Sequence, residues 1–268
     1  MADATMNRPL AGKRALITGS TSGLGLTTAC RLAADGCDVV VHGLGDAVAL
    51  EAIRTGLERD HGIRALASDA DLRDPAQIAS VIAEATRTLG SIDILINNAV
   101  ARHQAPVEAF TIAHWNEAIA VNLSSAFHTT RLVLPGMKQR GWGRIVNVSS
   151  IYGLRGAVNR VAYVTTKTGL IGLTRAVALE TAKSGVTCNA LCPGTSVSPT
   201  HEEAIVRLTA VAGLPRDAAE AQLLTGKQPT GRLIPAEAVA GLIAFLCTDA
   251  AADITGAALP IDGGWAAG

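Results

Sequence analysis

A tyrosine and a lysine stand four residues apart, at Tyr163 and Lys167, in a segment with a helical pattern. On a helix this spacing brings both side chains to one face, about one turn apart. A free phenol has a pKa near ~10, and a nearby ammonium favours the phenolate and lowers that pKa, so such a tyrosine can exchange a proton with a carbonyl or an alcohol. Ser150, at the end of an apolar run, has a hydroxyl that can bind the same oxygen. By itself the pair also fits a solvated helix surface, so the rest of the chain must decide.

A glycine-rich turn follows the first apolar run, with glycines at Gly19, Gly23 and Gly25. Glycines let the backbone turn sharply and approach a pyrophosphate, and a helix N-terminus then offers free N–H groups and a positive dipole end. An ordinary glycine-rich turn is the alternative. Its position after the first strand of a βαβ series favours nucleotide binding.

The end of the second predicted strand bears on the choice of dinucleotide. It reads Val41-His42-Gly43-Leu44-Gly45-Asp46, with no arginine or lysine to hold a 2′-phosphate and no acid directly at the strand end. A phosphate without a cation is costly, which favours NAD over NADP. Asp71 and Leu72, after the third strand, are placed to meet adenine, although a plain loop acid is the alternative.

The elements that must position these residues alternate between strand and helix. Strands are predicted at residues 14–18, 38–41, 64–67, 92–96, 144–149, 186–191 and 258–261, and helices at 24–35, 47–61, 75–89, 112–138, 161–184 and 236–248. This order predicts an α/β fold, a Rossmann-type doubly wound parallel sheet of about seven strands in a single domain over residues 1–268. Pro135 is expected to break the long helix. The insertion at 195–231, interrupted by Pro215 and Pro229, is predicted to be a helical substrate lid.

Composition limits the partners. The chain has 268 residues, 49% hydrophobic and 17% charged, with a formal net charge of zero, so it is globular and does not favour nucleic acid or an acidic membrane surface. It has no apolar run long enough to span a bilayer and no signal-peptide pattern, which predicts a cytoplasmic protein. Its five cysteines lie mostly in apolar elements, which favours free thiols over disulfides or a metal site.

Together these motifs resemble the classical short-chain dehydrogenase/reductase family, over essentially the whole chain. The motifs that carry the resemblance are Thr18–Gly25, Asp71, Asn97-Asn98-Ala99, Asn122, Ser150, Tyr163, Lys167, Pro193-Gly194 and Ile261-Asp262-Gly263-Gly264. The resemblance implies that Tyr163 is the general acid/base, that Ser150 holds the substrate oxygen, and that Lys167 lowers the tyrosine pKa and binds the nicotinamide ribose. Asn122 would hold a water in a proton relay. Hydride would pass directly between the cofactor and the carbinol carbon, without a metal.

The resemblance also implies the binding residues and the assembly. Cofactor contacts are expected from Thr18, Gly19, Ser22, Gly23, Leu24, Gly25, Asp71, Leu72, Asn98, Ala99, Tyr163, Lys167, Pro193, Gly194, Ser196 and Ser198. The family is usually tetrameric, so a homotetramer acting on a small molecule is expected. Val100 is a departure, because the family usually has glycine after Asn-Asn-Ala.

Within the family, the C-terminal half and the end of the second strand are similar to D-3-hydroxybutyrate dehydrogenases, which use NAD. Those enzymes hold a small carboxylate with two glutamines, a histidine and a lysine, and close the site with a tryptophan. The corresponding residues here are Arg102, Tyr152, Arg160, Ala204 and Thr195, and only His103, beside Arg102, is kept. The substrate site, with Arg102, His103, Ser150, Tyr152, Arg160 and Thr195, should therefore be roomier and favour anions.

These residues predict an NAD-dependent oxidoreductase for a secondary alcohol or ketone that bears an acidic group and is larger than, or different from, 3-hydroxybutyrate. Two alternatives stay open at this point. One is an NADPH-dependent 3-oxoacyl reductase, against which the missing arginine of the second strand argues. The other is a dinucleotide sensor without chemistry, against which the complete set of Asn122, Ser150, Tyr163 and Lys167 argues. Both arginines, Arg102 and Arg160, could also simply face solvent or a neighbouring subunit.

Overall fold

A seven-stranded parallel sheet organises the part of the chain that the computed structural model describes, residues 8–197 and 199–268. The strands are β1 (Arg14–Ile17), β2 (Asp38–His42), β3 (Ala65–Ser68), β4 (Ile94–Asn97), β5 (Gly143–Val148), β6 (Val186–Pro193) and β7 (Ala258–Ile261), in the spatial order β3-β2-β1-β4-β5-β6-β7. The strand order reverses between β1 and β4. A ligand crevice is expected there, at the carboxyl ends of the strands.

Helices cover both faces of the sheet. They are α1 (Gly23–Ala34), α2 (Ala47–His61), α3 (Pro75–Leu89), α4 (Ile112–Ile119), α5 (Ser125–Arg140), α6 (Val161–Thr181), α7 (Pro199–Ala212), α8 (Arg216–Leu223) and α9 (Ala236–Leu246). The predicted Rossmann-type fold is confirmed, and so are the free cysteines. Within the described residues, none of the helices combines the length and apolar character that a bilayer crossing requires.

The core has two layers because successive strand residues point to opposite faces of the sheet. Ile17 and Ile96 face the layer that holds α1 and α9, while Leu16 and Leu95 face the layer that holds α3 and α5. Strands buried on both faces read as continuous apolar runs, which is why the sequence predicted them well.

The long predicted helix differs from the structure in two ways. It is interrupted by one π-helical turn, Ala120–Ser124, and it then runs through Pro135 to Arg140. The prediction that Pro135 breaks the helix is wrong. Pro135 lies on the exposed face of α5, so the carbonyl that it leaves unpaired faces solvent and the helix continues until Gly141, at φ 67°.

The insertion after β6 carries α7 and α8, which pack against each other. Their shared contact is a small apolar cluster that contains Ile205, Ala219, Leu224 and Leu233. This cluster is separate from both layers of the main core. The two helices therefore have their own apolar contact, and the substrate lid stays a prediction.

Candidate functional site

A cleft of about 560 Å³ lies at the reversal point of the sheet. Sixteen of the predicted site residues line it: Gly19, Ser22, Gly23, Leu24, Gly25, Asp71, Leu72, Asn98, Ala99, Arg102, Ser150, Tyr163, Lys167, Pro193, Gly194 and Ser196. Five more adjoin lining residues, either in the chain or through a ring contact: Thr18, His103, Asn122, Tyr152 and Thr195. Arg160 lines a separate pocket, and Ser198 lies outside the described residues. Residues far apart in the chain thus meet in one place.

Two glycines of the glycine-rich turn, Gly19 and Gly25, lie where neighbouring backbone leaves no room for a side chain. Gly19 has φ +64°, and a Cβ there would lie 2.8 Å from the Cα of Ala99. A Cβ on Gly25 would lie 2.0 Å from the carbonyl oxygen of Gly19. Ser22 stands at the N-cap of α1, and within the described chain its hydroxyl does not bond the first-turn N–H groups. These N–H groups remain available to an anion, so the turn fits a dinucleotide pyrophosphate.

Thr18 and Asn98 hold the turn against the end of β4. The Thr18 Oγ1 accepts hydrogen bonds from the N–H groups of Asn98 (3.0 Å) and Ala99 (3.1 Å). The Asn98 side chain donates back to the carbonyls of Thr18 (3.0 Å) and Gly19 (2.8 Å). Thr18 therefore shapes the cleft from behind its wall.

His42 is a residue of this cradle that sequence reasoning did not identify. Its Nδ1 accepts from the Gly19 N–H at 3.1 Å, and its Nε2 donates to the Ala70 carbonyl at 2.8 Å. Both bonds together require the neutral ring, and burial lowers the pKa of His42 despite its carbonyl partner and the charges of Asp69 and Asp71. The sequence signal that could have identified it is the position of a histidine at the carboxyl end of β2, the strand beside the one that leads into the glycine turn.

Asp71, Arg73 and Leu44 line the part of the cleft where adenine is expected. Hydrogen bonds from Arg73, which lies 2.6 Å from Asp71 Oδ2, hold the pKa of that carboxyl below its usual value. Leu44, at the end of β2, is 65% exposed. The guanidinium of Arg73 is therefore already paired with the Asp71 carboxylate.

Tyr163 and Lys167 lie on one face of α6, as their spacing predicted. The Lys167 Nζ is 5.7 Å from the centre of the Tyr163 ring and donates to the Val148 carbonyl at 2.6 Å. Burial raises the pKa of Tyr163, but the charges of Lys167 and Arg102 and hydrogen-bonding interactions with Ser150 and Arg102 outweigh it, so the pKa is lowered overall. Burial also lowers the pKa of Lys167. The phenol is set up for proton exchange at the cleft wall.

Asn122 lies in the π-helical turn, behind the wall. Its Oδ1 accepts from the Ala101 N–H at 2.7 Å, and its Nδ2 donates to the Ala101 carbonyl at 3.0 Å. A longer contact, 3.4 Å, reaches the Thr166 hydroxyl on α6. The side chain thus ties the loop after β4 to the helix that carries Tyr163.

His103 binds a residue of α4. Its Nε2 is 2.7 Å from Glu117 Oε2, and its ring stacks on His114 with centroids 3.9 Å apart. Glu117 itself lines the cleft, 4.0 Å from Arg73. His103 therefore fixes the loop beside Arg102.

The other predicted substrate residues form a second layer. Tyr152 packs edge-on against Tyr163, at 6.3 Å between ring centres, and against Trp265, at 5.4 Å. Arg160 is within 2.9 Å of the Gln104 side-chain oxygen when that amide is turned to accept. Thr195 donates its N–H to the side chain of Gln228.

His201 on α7 lies near three basic side chains. Its Nδ1 donates to the Ser196 carbonyl at 2.7 Å. Burial lowers the pKa of His201, and the positive charges of Arg102, Lys227 and Arg160 lower it further. Of these three basic residues, Arg102 lines the cleft, where its charge would favour an anion.

Comparisons with known proteins agree with this geometry. A family model described as short chain dehydrogenase matches residues 13–206. A D-beta-hydroxybutyrate dehydrogenase of Cupriavidus necator is 44% identical and covers 96% of this chain and 99% of its own length. A cis-4-hydroxycyclohexanecarboxylate dehydrogenase of Sinomonas cyclohexanicum is 36% identical, covering 98% of this chain and 100% of its own. The crystal structure of L-sorbose reductase from Gluconobacter frateurii, with NADPH and L-sorbose, superposes with a TM-score of 0.90 at 27% identity, covering 97% of this chain and 98% of its own.

Proposed function

Because this chain belongs to the short-chain dehydrogenase family, we propose that it interconverts a secondary alcohol and a ketone with NAD. The proposed substrate is a hydroxy acid larger than, or different from, 3-hydroxybutyrate. The observation that carries the proposal is the lowered pKa of Tyr163, beside Lys167 and Ser150, on the wall of a cleft whose glycine turn fits a pyrophosphate. A sensor of dinucleotide would have no use for an activated phenol.

The proposed roles follow from the contacts. Tyr163 takes the hydroxyl proton when the alcohol is oxidised and returns a proton when the ketone is reduced. The Ser150 hydroxyl binds the reacting oxygen, and Lys167 keeps the phenol acidic and binds the nicotinamide ribose. The dinucleotide, when bound, supplies the hydride chemistry. Asn122 acts by holding Ala101, and we propose in addition that it supports a proton relay through water.

Replacing the phenol tests this mechanism. Tyr163→Phe removes the proton donor but keeps the ring, so turnover should fall by at least about a hundredfold while dinucleotide binding persists. Thr55→Val, which removes a hydroxyl from an exposed position of α2, is the control and should leave turnover unchanged. Purified protein is assayed with NAD and a panel of hydroxy acids by absorbance of the reduced nicotinamide. An unchanged rate in Tyr163→Phe would eliminate the mechanism.

The preference for NAD rests on the end of β2. Leu44 lines the cleft there, and Arg73 is engaged by Asp71. The NADPH of L-sorbose reductase shows that a relative of this fold binds the phosphorylated form, so the comparison of NAD with NADP turnover is decisive. Leu44→Arg would supply a cation and should raise kcat/KM with NADP by about tenfold, whereas Leu44→Gln should not. Faster turnover of wild-type protein with NADP than with NAD would contradict the proposal.

The preference for an acidic substrate rests on Arg102, a permanently charged side chain that lines the cleft. The names of two relatives, hydroxybutyrate and hydroxycyclohexanecarboxylate dehydrogenase, both describe an alcohol that bears a carboxylate. Thr195 and Ala204 are smaller than the residues that the resemblance places there, so we propose that the site accepts a longer or cyclic carbon frame. Hydroxy acids are compared with their methyl esters, and 3-hydroxybutyrate with larger acids. The proposal fails if esters and acids react alike, or if 3-hydroxybutyrate is turned over as fast as every larger acid.

We also propose a cytoplasmic homotetramer that acts on this small molecule. Apolar side chains are exposed on neighbouring helices, with Phe127 on α5 48% exposed and Leu179 on α6 81% exposed. Such side chains favour burial between subunits. Sedimentation equilibrium measures the assembly, and a stable monomer would reject it.

A further inference from the structure

The end of β5 binds Lys167 of α6 twice, once through the side chain and once through the backbone. The Lys167 Nζ donates to the Val148 carbonyl at 2.6 Å, and the hydroxyl of the next residue, Ser149, donates to the Lys167 carbonyl at 2.7 Å. Ser149 and Lys167 are only 3% and 2% exposed. Water cannot replace a hydrogen bond that is lost in such a buried place, so the two bonds together hold Lys167 against β5.

Ser149 has a fixed backbone and a fully committed proton. Its N–H donates to the Leu191 carbonyl of β6 at 2.8 Å, which holds the residue within the sheet. Ser149 also lines the cleft. A serine hydroxyl has one proton to donate, and the Lys167 carbonyl accepts it. The hydroxyl therefore has no proton left for a bound ligand.

Gly153 packs against the same hydrogen bond. A Cβ on Gly153 would clash with the Ser149 Oγ and would lie 2.9 Å from the Lys167 carbonyl oxygen. The Thr168 hydroxyl donates to the Gly153 carbonyl at 3.2 Å, which adds a second bond between this loop and α6. The lack of a side chain at Gly153 therefore lets the loop after β5 approach α6 closely enough for the bond between Ser149 and Lys167 to form.

We propose that Ser149 is a positioning residue, which holds Lys167 where its ammonium serves both the Tyr163 phenol and the nicotinamide ribose. The inference rests on the proposed function for the roles of Lys167 and Tyr163. Both of these residues belong to α6, whereas Ser150 follows β5. The bond from Ser149 thus joins the two elements that must meet at one reacting oxygen, where a displacement of about 1 Å can cost about a hundredfold in rate.

Ser149→Ala tests the positioning role by ligand binding as well as by turnover. Affinity for NAD should fall about fivefold, the order of one net hydrogen bond, and kcat should fall about tenfold. Affinity for ADP, which lacks the nicotinamide ribose, should not change. Ser184→Ala is the matched control, because the Ser184 hydroxyl donates at 2.8 Å to another α6 carbonyl, that of Thr181 at the far end of the helix. It should leave both affinities and kcat unchanged.

Isothermal titration calorimetry measures both affinities, and urea unfolding shows that each variant is folded. Equal losses of NAD and ADP affinity in Ser149→Ala would indicate a general distortion of the cleft and would overturn the inference. An unchanged NAD affinity in this variant would overturn it as well.

A double-mutant cycle separates an effect through Lys167 from a direct contact between Ser149 and NAD. Lys167→Met keeps a long side chain but removes the ammonium. If Ser149 acts through that ammonium, adding Ser149→Ala to Lys167→Met should cause no further loss of NAD affinity. A further fivefold loss would refute the positioning role.

Gly153→Ala disturbs the same bond from the loop. It should weaken NAD binding in the wild-type background, because the new Cβ displaces the Ser149 hydroxyl. The loss should be smaller in Ser149→Ala, where that hydroxyl is already absent. Equal losses in the two backgrounds would show that Gly153 acts independently of Ser149 and would contradict the proposed contact.

The binding and turnover results fail separately. If Ser149→Ala binds NAD and turns over a hydroxy acid as the wild-type protein does, the proposed function stands and the positioning role is refuted. If NAD affinity falls as expected but the wild-type protein oxidises no hydroxy acid, the positioning role at the nicotinamide ribose is supported and the proposed function is refuted.

Discussion

Substituting Gly25 by alanine tests the packing of the glycine turn. Gly25 is in the first turn of α1, where a new Cβ would lie 2.0 Å from the Gly19 carbonyl oxygen and 2.6 Å from the Asn98 Nδ2. Contact distances near 3.4 Å are ordinary, so the carbonyl would have to withdraw by about 1.4 Å. That movement breaks the 2.8 Å hydrogen bond from Asn98 to Gly19.

The size of the effect follows from three contributions. Overpacking costs about 1–3 kcal/mol and the lost hydrogen bond about 1 kcal/mol, whereas replacing glycine by alanine within a helix gains about 1 kcal/mol. We expect Gly25→Ala to lower the free energy of unfolding by about 2 kcal/mol. We also expect dinucleotide affinity to fall by about tenfold, because the displaced carbonyl belongs to the turn that fits the pyrophosphate.

A second glycine provides the matched control. Gly56 lies within α2, and a Cβ there would meet its nearest atom, the Nη2 of Arg59, at 4.0 Å. Gly56→Ala makes the same chemical change in a helix without the clash and should raise the free energy of unfolding by about 0.5–1 kcal/mol. Urea unfolding with linear extrapolation measures both, and fluorescence titration measures dinucleotide binding. Equal stability changes in the two variants, or unchanged dinucleotide affinity in Gly25→Ala, would refute the steric reasoning.

Three further predictions concern stability. Burial holds the pKa of His42 below its unfolded value, so protonation of His42 favours the unfolded chain. The stability that the neutral ring contributes is complete above about pH 6.5 and is lost as the pH falls, by up to about 1.4 kcal/mol per pH unit. His42→Asn should reduce this pH dependence of the free energy of unfolding, measured by urea unfolding at several pH values. The same pH dependence in both proteins would contradict it. Asp46→Ala should cost about 1 kcal/mol in urea unfolding, because the Asp46 carboxylate accepts from the Val48 N–H at 2.8 Å at the start of α2, whereas Asp46→Asn should be nearly neutral. Ile96→Ala, at a fully buried position of β4, should lower the free energy of unfolding by about 2–5 kcal/mol. Val107→Ala, at a side chain that is 69% exposed, is the control and should lower it by less than about 0.5 kcal/mol. Similar losses in the two variants would argue against the described core.

The order of strands and helices was readable from local patterns. The centres of buried parallel strands such as β2 and β4 are continuous apolar runs. Helices such as α2 and α3 follow the N-caps Asp46 and Asp74 and are ended by glycines, so each element carries its own signals. The interruption of the long helix was not readable. The π-helical turn at Ala120–Ser124 places Asn122 against Ala101, a contact between segments that local propensity does not encode.

The sequence also determined that Tyr163 and Lys167, the pair on which the proposed chemistry depends, share one face of a helix, because their spacing alone places them there. Only the tertiary structure decided which neighbours tune that chemistry. His42 reaches Gly19 from an adjacent strand, and His103 in the loop after β4 binds Glu117 on α4. The physical reason is the sequence distance over which each interaction acts. Periodicity and capping depend on residues a few positions apart, whereas the partners of a loop side chain are set by segments that are distant in the sequence and pack against the loop.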